Sequence, residues 1–95
     1  MNHVVLTAHI AEVAALRYTP AGLPALDLQL EHGSTVSEAG QERKVQARVK
    51  AIAIGAVAER LKVQAVGSQW RFTGFLASAR NGKSLVLHIQ EFQQD

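Results

Sequence analysis

RKVQARVKAIAIG, residues 43–55, combines a strand pattern with the densest positive charge in the chain. Read at period two, Lys44, Gln46, Arg48 and Lys50 share one face, while Val45, Ala47, Val49 and Ala51 share the other. The stretch is a half-buried strand whose wet face is cationic. No Asp or Glu occurs between Glu42 and Glu59, so sequence neighbours cannot neutralise that row, and a row of unpaired cations on a sheet suits a polyanion. Ile52 and Ile54 keep the parity of Lys50, which leaves two readings open. Either the strand bulges after Lys50, or a second apolar surface meets its outer face.

Working outward, His3 to Ala11 alternates weakly, with Val4, Leu6, Ala8 and Ile10 on one face. The next residues, EVAAL (12–16), are open to a helical turn, and RYTPAGLP (17–24) follows with two prolines and a glycine. Proline fixes φ, glycine admits positive φ and Thr19 can bond the local backbone, so the segment turns the chain. From Pro24 the alternation is clean, with Leu26, Leu28 and Leu30 inward against Asp27, Gln29 and Glu31. HGSTVSEAGQ (32–41) has no sustained period and reads as an exposed loop. After Gly55, Val57, Ala58, Leu61 and Ala65 form one stripe of a short helix of about ten residues, ended by Val66-Gly67-Ser68. QWRFTGFLA (69–77) is the fourth strand, with Gly74 allowing a bend or a close backbone approach. SARNGK (78–83) carries a hairpin signal in Asn81-Gly82, and SLVLHIQEF (84–92) is the fifth strand. Three strands, one short helix and two strands is the order of the OB-fold, an all-β, five-stranded Greek-key barrel. In that fold the second and third strands and their flanking loops face the ligand, which is where the basic strand falls.

The chain has 95 residues, enough for a single OB-fold domain over 1–95 and too few for a deep two-lobed active site. Its 47% apolar content argues against disorder, yet no apolar run is long enough to span a bilayer. MNHVVLTAH lacks the features of a secretory signal, and the absence of Cys removes disulfides and thiolate metal sites. The expectation is a soluble cytoplasmic protein without membrane contact. Net charge is +2, but residues 43–90 carry nine cations against Glu59 alone, so the basic character is regional.

The expected phosphate contacts are Arg43, Lys44, Arg48 and Lys50, with Arg80 and Lys83 from the last hairpin and Arg17 from the first. Trp70 and Phe72 share a face with Leu76 and read as core. Phe75 takes the opposite parity, where stacking on a base and burial against a second subunit both remain open. Tyr18 is a further stacking candidate. The four histidines lack metal-ligand spacing, and no nucleophile elbow, phosphate-cradling loop or paired carboxylates occur, so neither an enzyme nor a cofactor is expected.

The start MNHVVLTAHI, the hairpin LRYTPAGLPALDLQLEH, the strand end IAIG, the segment VGSQWRFTGFLA and the ending RNGKSLVLHIQEF together resemble the primosomal replication protein N (PriB) family. These bacterial proteins are relatives of single-stranded DNA-binding protein, with which LRYTPAG is shared. Single-stranded DNA-binding protein would be expected to continue into a Gly, Pro and Gln-rich linker and an acidic tip, whereas this sequence stops at Asp95, and LEH and VLH favour the primosomal branch. The resemblance implies a homodimer of OB-folds that binds single-stranded DNA with little sequence preference. It also implies action in replication restart, bridging the helicase PriA and the loader protein DnaT. The aromatic that some members place on the third strand falls at Gln46, which cannot stack comparably, so charge is expected to dominate. Two rival readings are an adaptor whose basic face docks an acidic protein, and an RNA-binding OB module.

Overall fold

The stretch quoted first forms the middle of a closed sheet. A computed structural model describes residues 1–95. Its elements are β1 (Val4–Val13), β2 (Arg17–Tyr18), β3 (Pro24–Glu38), β4 (Gln41–Ile54), α1 (Ala56–Lys62), β5 (Gln69–Ser78) and β6 (Leu85–Gln93). The sheet runs β1-β5-β6-β4-β3-β2 and closes where β1 also pairs with β3. Because β2 is only a two-residue addition to β3, five strands make the barrel. β4 and β6 run parallel, and the other pairs are antiparallel. This is the OB topology, and closure leaves no sheet edge within the barrel.

Alternation fills the interior. Leu26, Leu28 and Leu30 of β3 point inward with Ala8, Ile10, Phe72, Leu87, Ile89 and Phe92. Leu26 and Leu28 lie opposite Ala53 and Ala51 of β4, so large and small side chains alternate across the pair. The helix closes one end of the barrel with Val57, Ala58 and Leu61. Burying each of the larger side chains contributes about 1.5–3 kcal/mol. Gly74 sits at the register shift in the antiparallel β5–β6 pair, where an added Cβ would lie 1.8 Å from the carbonyl oxygen of His88. The close approach expected of this glycine is therefore real.

Three expectations need correction. EVAAL is not a helical turn, because β1 runs on to Val13. A register shift between Ile10 and Glu12 bends the strand, which pairs with β5 up to His9 and with β3 from His9 onward. Closing a barrel requires such a change of partner, and a bulge supplies the bend. Residues 32–41 are likewise no loop. β3 and β4 continue in register to Glu38↔Gln41 as a two-stranded ribbon, turned by Ala39 (φ 52) and Gly40 (φ 76). Two successive positive φ values are what a tight two-residue hairpin demands. The ribbon is exposed on both faces, so no apolar period marks it in the sequence. Finally, the helix stops at Lys62 and Ala65 is exposed. The following chain is drawn to β1, where Gly67 N–H donates to Ile10 O at 2.7 Å and Ile10 N–H donates to Ser68 O at 2.9 Å.

The β3–β4 ladder is uninterrupted from Ala25↔Ile54 onward, so no bulge follows Lys50. Ile52 and Ile54 stand on the outside. Ile52 lies beside His88 of β6, which faces Phe75 of β5, and these four residues line one shallow apolar depression.

Candidate nucleic-acid interface

Register places Lys44, Gln46, Arg48 and Lys50 in one row on the outer face of β4, opposite Thr35, Gly33, Glu31 and Gln29 of β3. The row is ~20 Å long at the usual strand rise. Ala51 pairs with Leu87 in the parallel β4–β6 pair, which brings Leu85 alongside Val49. Arg48 and Lys50 consequently share a depression with Leu76, Ser84 and Leu85. The turn before Ser84 is closed by Gly82 N–H donating to Ala79 O at 2.8 Å and by Lys83 N–H donating to Asn81 Oδ1 at 2.9 Å. Arg80 and Lys83 are exposed on this turn, and Ser84 at its end lines the same depression.

Carboxylates on paired or neighbouring strands reach three of the expected cations. Arg48 Nη2 is 3.3 Å from Glu31 Oε1 and 3.7 Å from Glu12 Oε1. Arg43 Nε is 2.9 Å from Glu38 Oε1, and Arg17 Nε is 2.8 Å from Asp27 Oδ2. The Asp27 hydrogen bond and charge raise the Arg17 pKa above its already high ordinary value. Neutralisation thus comes from neighbouring strands, which the local charge run could not show. Lys44, Lys50, Arg80 and Lys83 have no carboxylate within 4.0 Å. Exposed ion pairs are typically worth about 0–1 kcal/mol, so a phosphate can displace Glu12 or Glu31 from Arg48 at little cost.

The remaining expected residues are dispersed. Arg43 has the parity of Val45 and faces the other side of the ribbon from Lys44. Arg17 and Tyr18 pair with Ala25 and Pro24, at the far end of β3 from Thr35 and Lys44, ~30 Å along the strand. Tyr18 is 64% exposed there. Phe75 stacks on His88, with ring centroids 4.8 Å apart and planes 12° from parallel, in the apolar depression rather than in the cationic row.

Beside Gln46 and Arg48 lies a recess of about 460 Å³ bordered by His9, Glu31 and Gly33. His9 Nε2 is 3.2 Å from Glu31 Oε2. Next to it, His32 Nδ1 and Thr7 O lie 2.6 Å apart, linking β3 to β1 where the two strands diverge. Sequence reasoning missed these residues because it assigned His32 and Gly33 to a loop. The available signal was the unbroken β-branched and polar run Ser34-Thr35-Val36 after Gly33.

A closed five-stranded barrel with this strand order and one cationic outer strand is an OB-fold binding module of the kind built into single-strand binding proteins. A family model described as "Another single-strand binding protein family" matches residues 2–91. The chain belongs to the family of replication restart protein PriB. It is 45% identical over 92 residues to the Bordetella pertussis PriB, spanning 96% of this chain and 86% of that one. It is 38% identical to the Nitrosomonas europaea PriB over 95% of this chain and 84% of that one. The crystal structure of PriB from Ralstonia solanacearum superposes with a TM-score of 0.89 at 34% identity, covering 99% of this chain and 97% of that one. The single-stranded DNA binding protein of Thermus aquaticus gives a TM-score of 0.77 at 26% identity, over 98% of this chain and 49% of that one. The family is one of binding proteins rather than enzymes. No helix is long and apolar enough to cross a membrane.

Proposed function

We propose that this chain binds single-stranded DNA through the outer face of β4 and the β5–β6 turn, as a cytoplasmic accessory protein of replication restart. The observation that carries the reading is the single outer row of Lys44, Arg48 and Lys50 on β4, with Ser84, at the end of the turn that bears Arg80 and Lys83, beside Arg48 and Lys50. Lysines without carboxylate partners take phosphates directly, and Arg48 joins them by releasing Glu12, the more distant of its two carboxylates. Phosphate contacts carry no sequence information, which suits a sequence-tolerant binder. Gln46 lies in the middle of this path, whereas Arg43, on the other face of the ribbon, and Arg17 and Tyr18, at the far end of β3, lie off it. A homodimer fits the exposed depression of Ile52, Ile54, Phe75 and His88, where a second copy would cover apolar surface. Membership in the PriB family supports contact with the restart helicase PriA and with DnaT.

Fluorescence anisotropy with a labelled oligonucleotide over a salt series tests the interface. With about five phosphates engaged, log K against log salt should fall with a slope of roughly −3 to −4. A flat dependence would sink the reading. The adaptor alternative is favoured by one observation: Arg48, in the cationic row, already holds two carboxylates. If Lys50→Ala with Arg48→Ala left DNA affinity unchanged but abolished helicase stimulation, the adaptor would be the better account.

A further inference from the structure

We propose that the recess over Gly33 is a subsite for one nucleobase and that it favours guanine. The proposal rests on the single-strand reading above and names what the strand presents between two phosphate contacts. Gly33 lies on the outer face of β3 directly opposite Gln46, and a Cβ there would meet only the carbonyl of Val45, at 4.0 Å. The missing side chain, not crowding, is what opens the recess. At about 460 Å³ it lies within the range of ordinary small-ligand sites, about 300–1,000 Å³.

The rim chemistry selects the base. Glu31 is held from both sides, one oxygen 3.2 Å from His9 Nε2 and the other 3.3 Å from Arg48 Nη2. Each carboxylate oxygen can accept a second hydrogen bond, so a fixed pair of acceptors faces the recess. The Watson–Crick edge of guanine offers two adjacent donors, N1–H and N2–H, which match such a pair. Its O6 and N7 are acceptors for the Arg48 guanidinium or the Gln46 amide. Adenine and cytosine would turn a ring-nitrogen acceptor toward the carboxylate, and thymine has one N–H between two carbonyls. Hydrogen bonding here does the work that an aromatic at position 46 would do by stacking.

Short labelled dT oligomers carrying one central guanine, adenine, cytosine or abasic site, titrated by anisotropy, test the proposal. The guanine oligomer should bind about three- to tenfold more tightly than the other three, as expected for one bidentate base contact on an exposed surface. Gly33→Leu fills the recess and Glu31→Gln removes one of the paired acceptors, so each should erase that margin. Gly33→Leu should leave the salt slope on the all-dT oligomer unchanged, which also shows that the variant is folded. Equal binding of all four oligomers by the wild type, or a guanine margin that survives both substitutions, overturns the subsite while the salt slope keeps the single-strand reading standing. Wild-type binding to all-dT without salt dependence would remove both.

Discussion

Gly74→Ala puts the barrel closure under direct test. The new Cβ would lie 1.8 Å from the His88 carbonyl oxygen, 2.9 Å from its carbon and 3.2 Å from Ile89 Cα, all backbone atoms that no rotamer change can move. A carbon and a carbonyl oxygen in ordinary contact stand about 3.3 Å or more apart, so β5 and β6 must separate by about 1.5 Å. Relieving an overpacked side chain costs about 1–3 kcal/mol. Here the nearby ladder hydrogen bonds, at about 1 kcal/mol each, are weakened as well, which brings the total to about 3–5 kcal/mol. For a domain of this size each kcal/mol lowers Tm by roughly 4–8 °C, so melting should fall by about 15–30 °C or the chain should fail to accumulate folded. Gly33→Ala is the matched control, with nothing nearer than 4.0 Å. Thermal melts followed by circular dichroism decide the matter. A Gly74→Ala protein melting within about 3 °C of wild type would refute the contact geometry, since even an ordinary overpacking cost would move it further.

Other substitutions address the interface and the surface charges. Lys50→Ala combined with Lys83→Ala should make the salt slope shallower by about 1.4, because each lost phosphate contact to a single strand removes about 0.7. Glu12→Gln should raise oligonucleotide affinity by roughly two- to fivefold, the worth of the exposed pair it releases from Arg48; a decrease in anisotropy titrations would contradict that exchange. Ile54→Asp should shift sedimentation towards the monomer if the Ile52, Ile54 and Phe75 depression is covered by a second copy, and an unchanged profile would exclude that face. Glu91 titrates below the usual carboxylate range, because it accepts from the Phe92 N–H and from Arg60. A depressed folded-state pKa contributes stability above the ordinary carboxylate range that is lost as pH falls. The Tm deficit of Glu91→Gln at neutral pH should therefore shrink as pH falls through and below the ordinary carboxylate range.

Strand identity was legible wherever one face is buried. Leu26-Leu28-Leu30 announces its period because water on one side and core on the other impose it; on β4 the same stripe reaches the core only at Val49 and Ala51, Ala47 being exposed and Val45 only partly covered on the ribbon. The ribbon from Gly33 to Arg43 was not legible, since both of its faces meet solvent. The bulge after Ile10 was hidden for another reason: it answers to the demands of barrel closure, which no window of ten residues contains. At the candidate site, the cationic row on β4 was read correctly as a row. Its partners were not, because Glu12 and Glu31 approach Arg48 only after β1 and β3 close around β4.

By itself, then, the order of residues determined an OB-type succession of elements, a core-facing stripe in most of the strands and a positive outer face on the third long strand, since these depend on contacts between residues close in the chain. Tertiary structure alone decided which cations remain free, that Phe75 stacks on His88 away from the basic row, and that Gly33 opens a recess between Glu31 and Arg48. Those outcomes depend on register between paired strands, which the joining turns fix for β3–β4 and β5–β6 and the closure of β1 onto β3 fixes for His9 and Glu12.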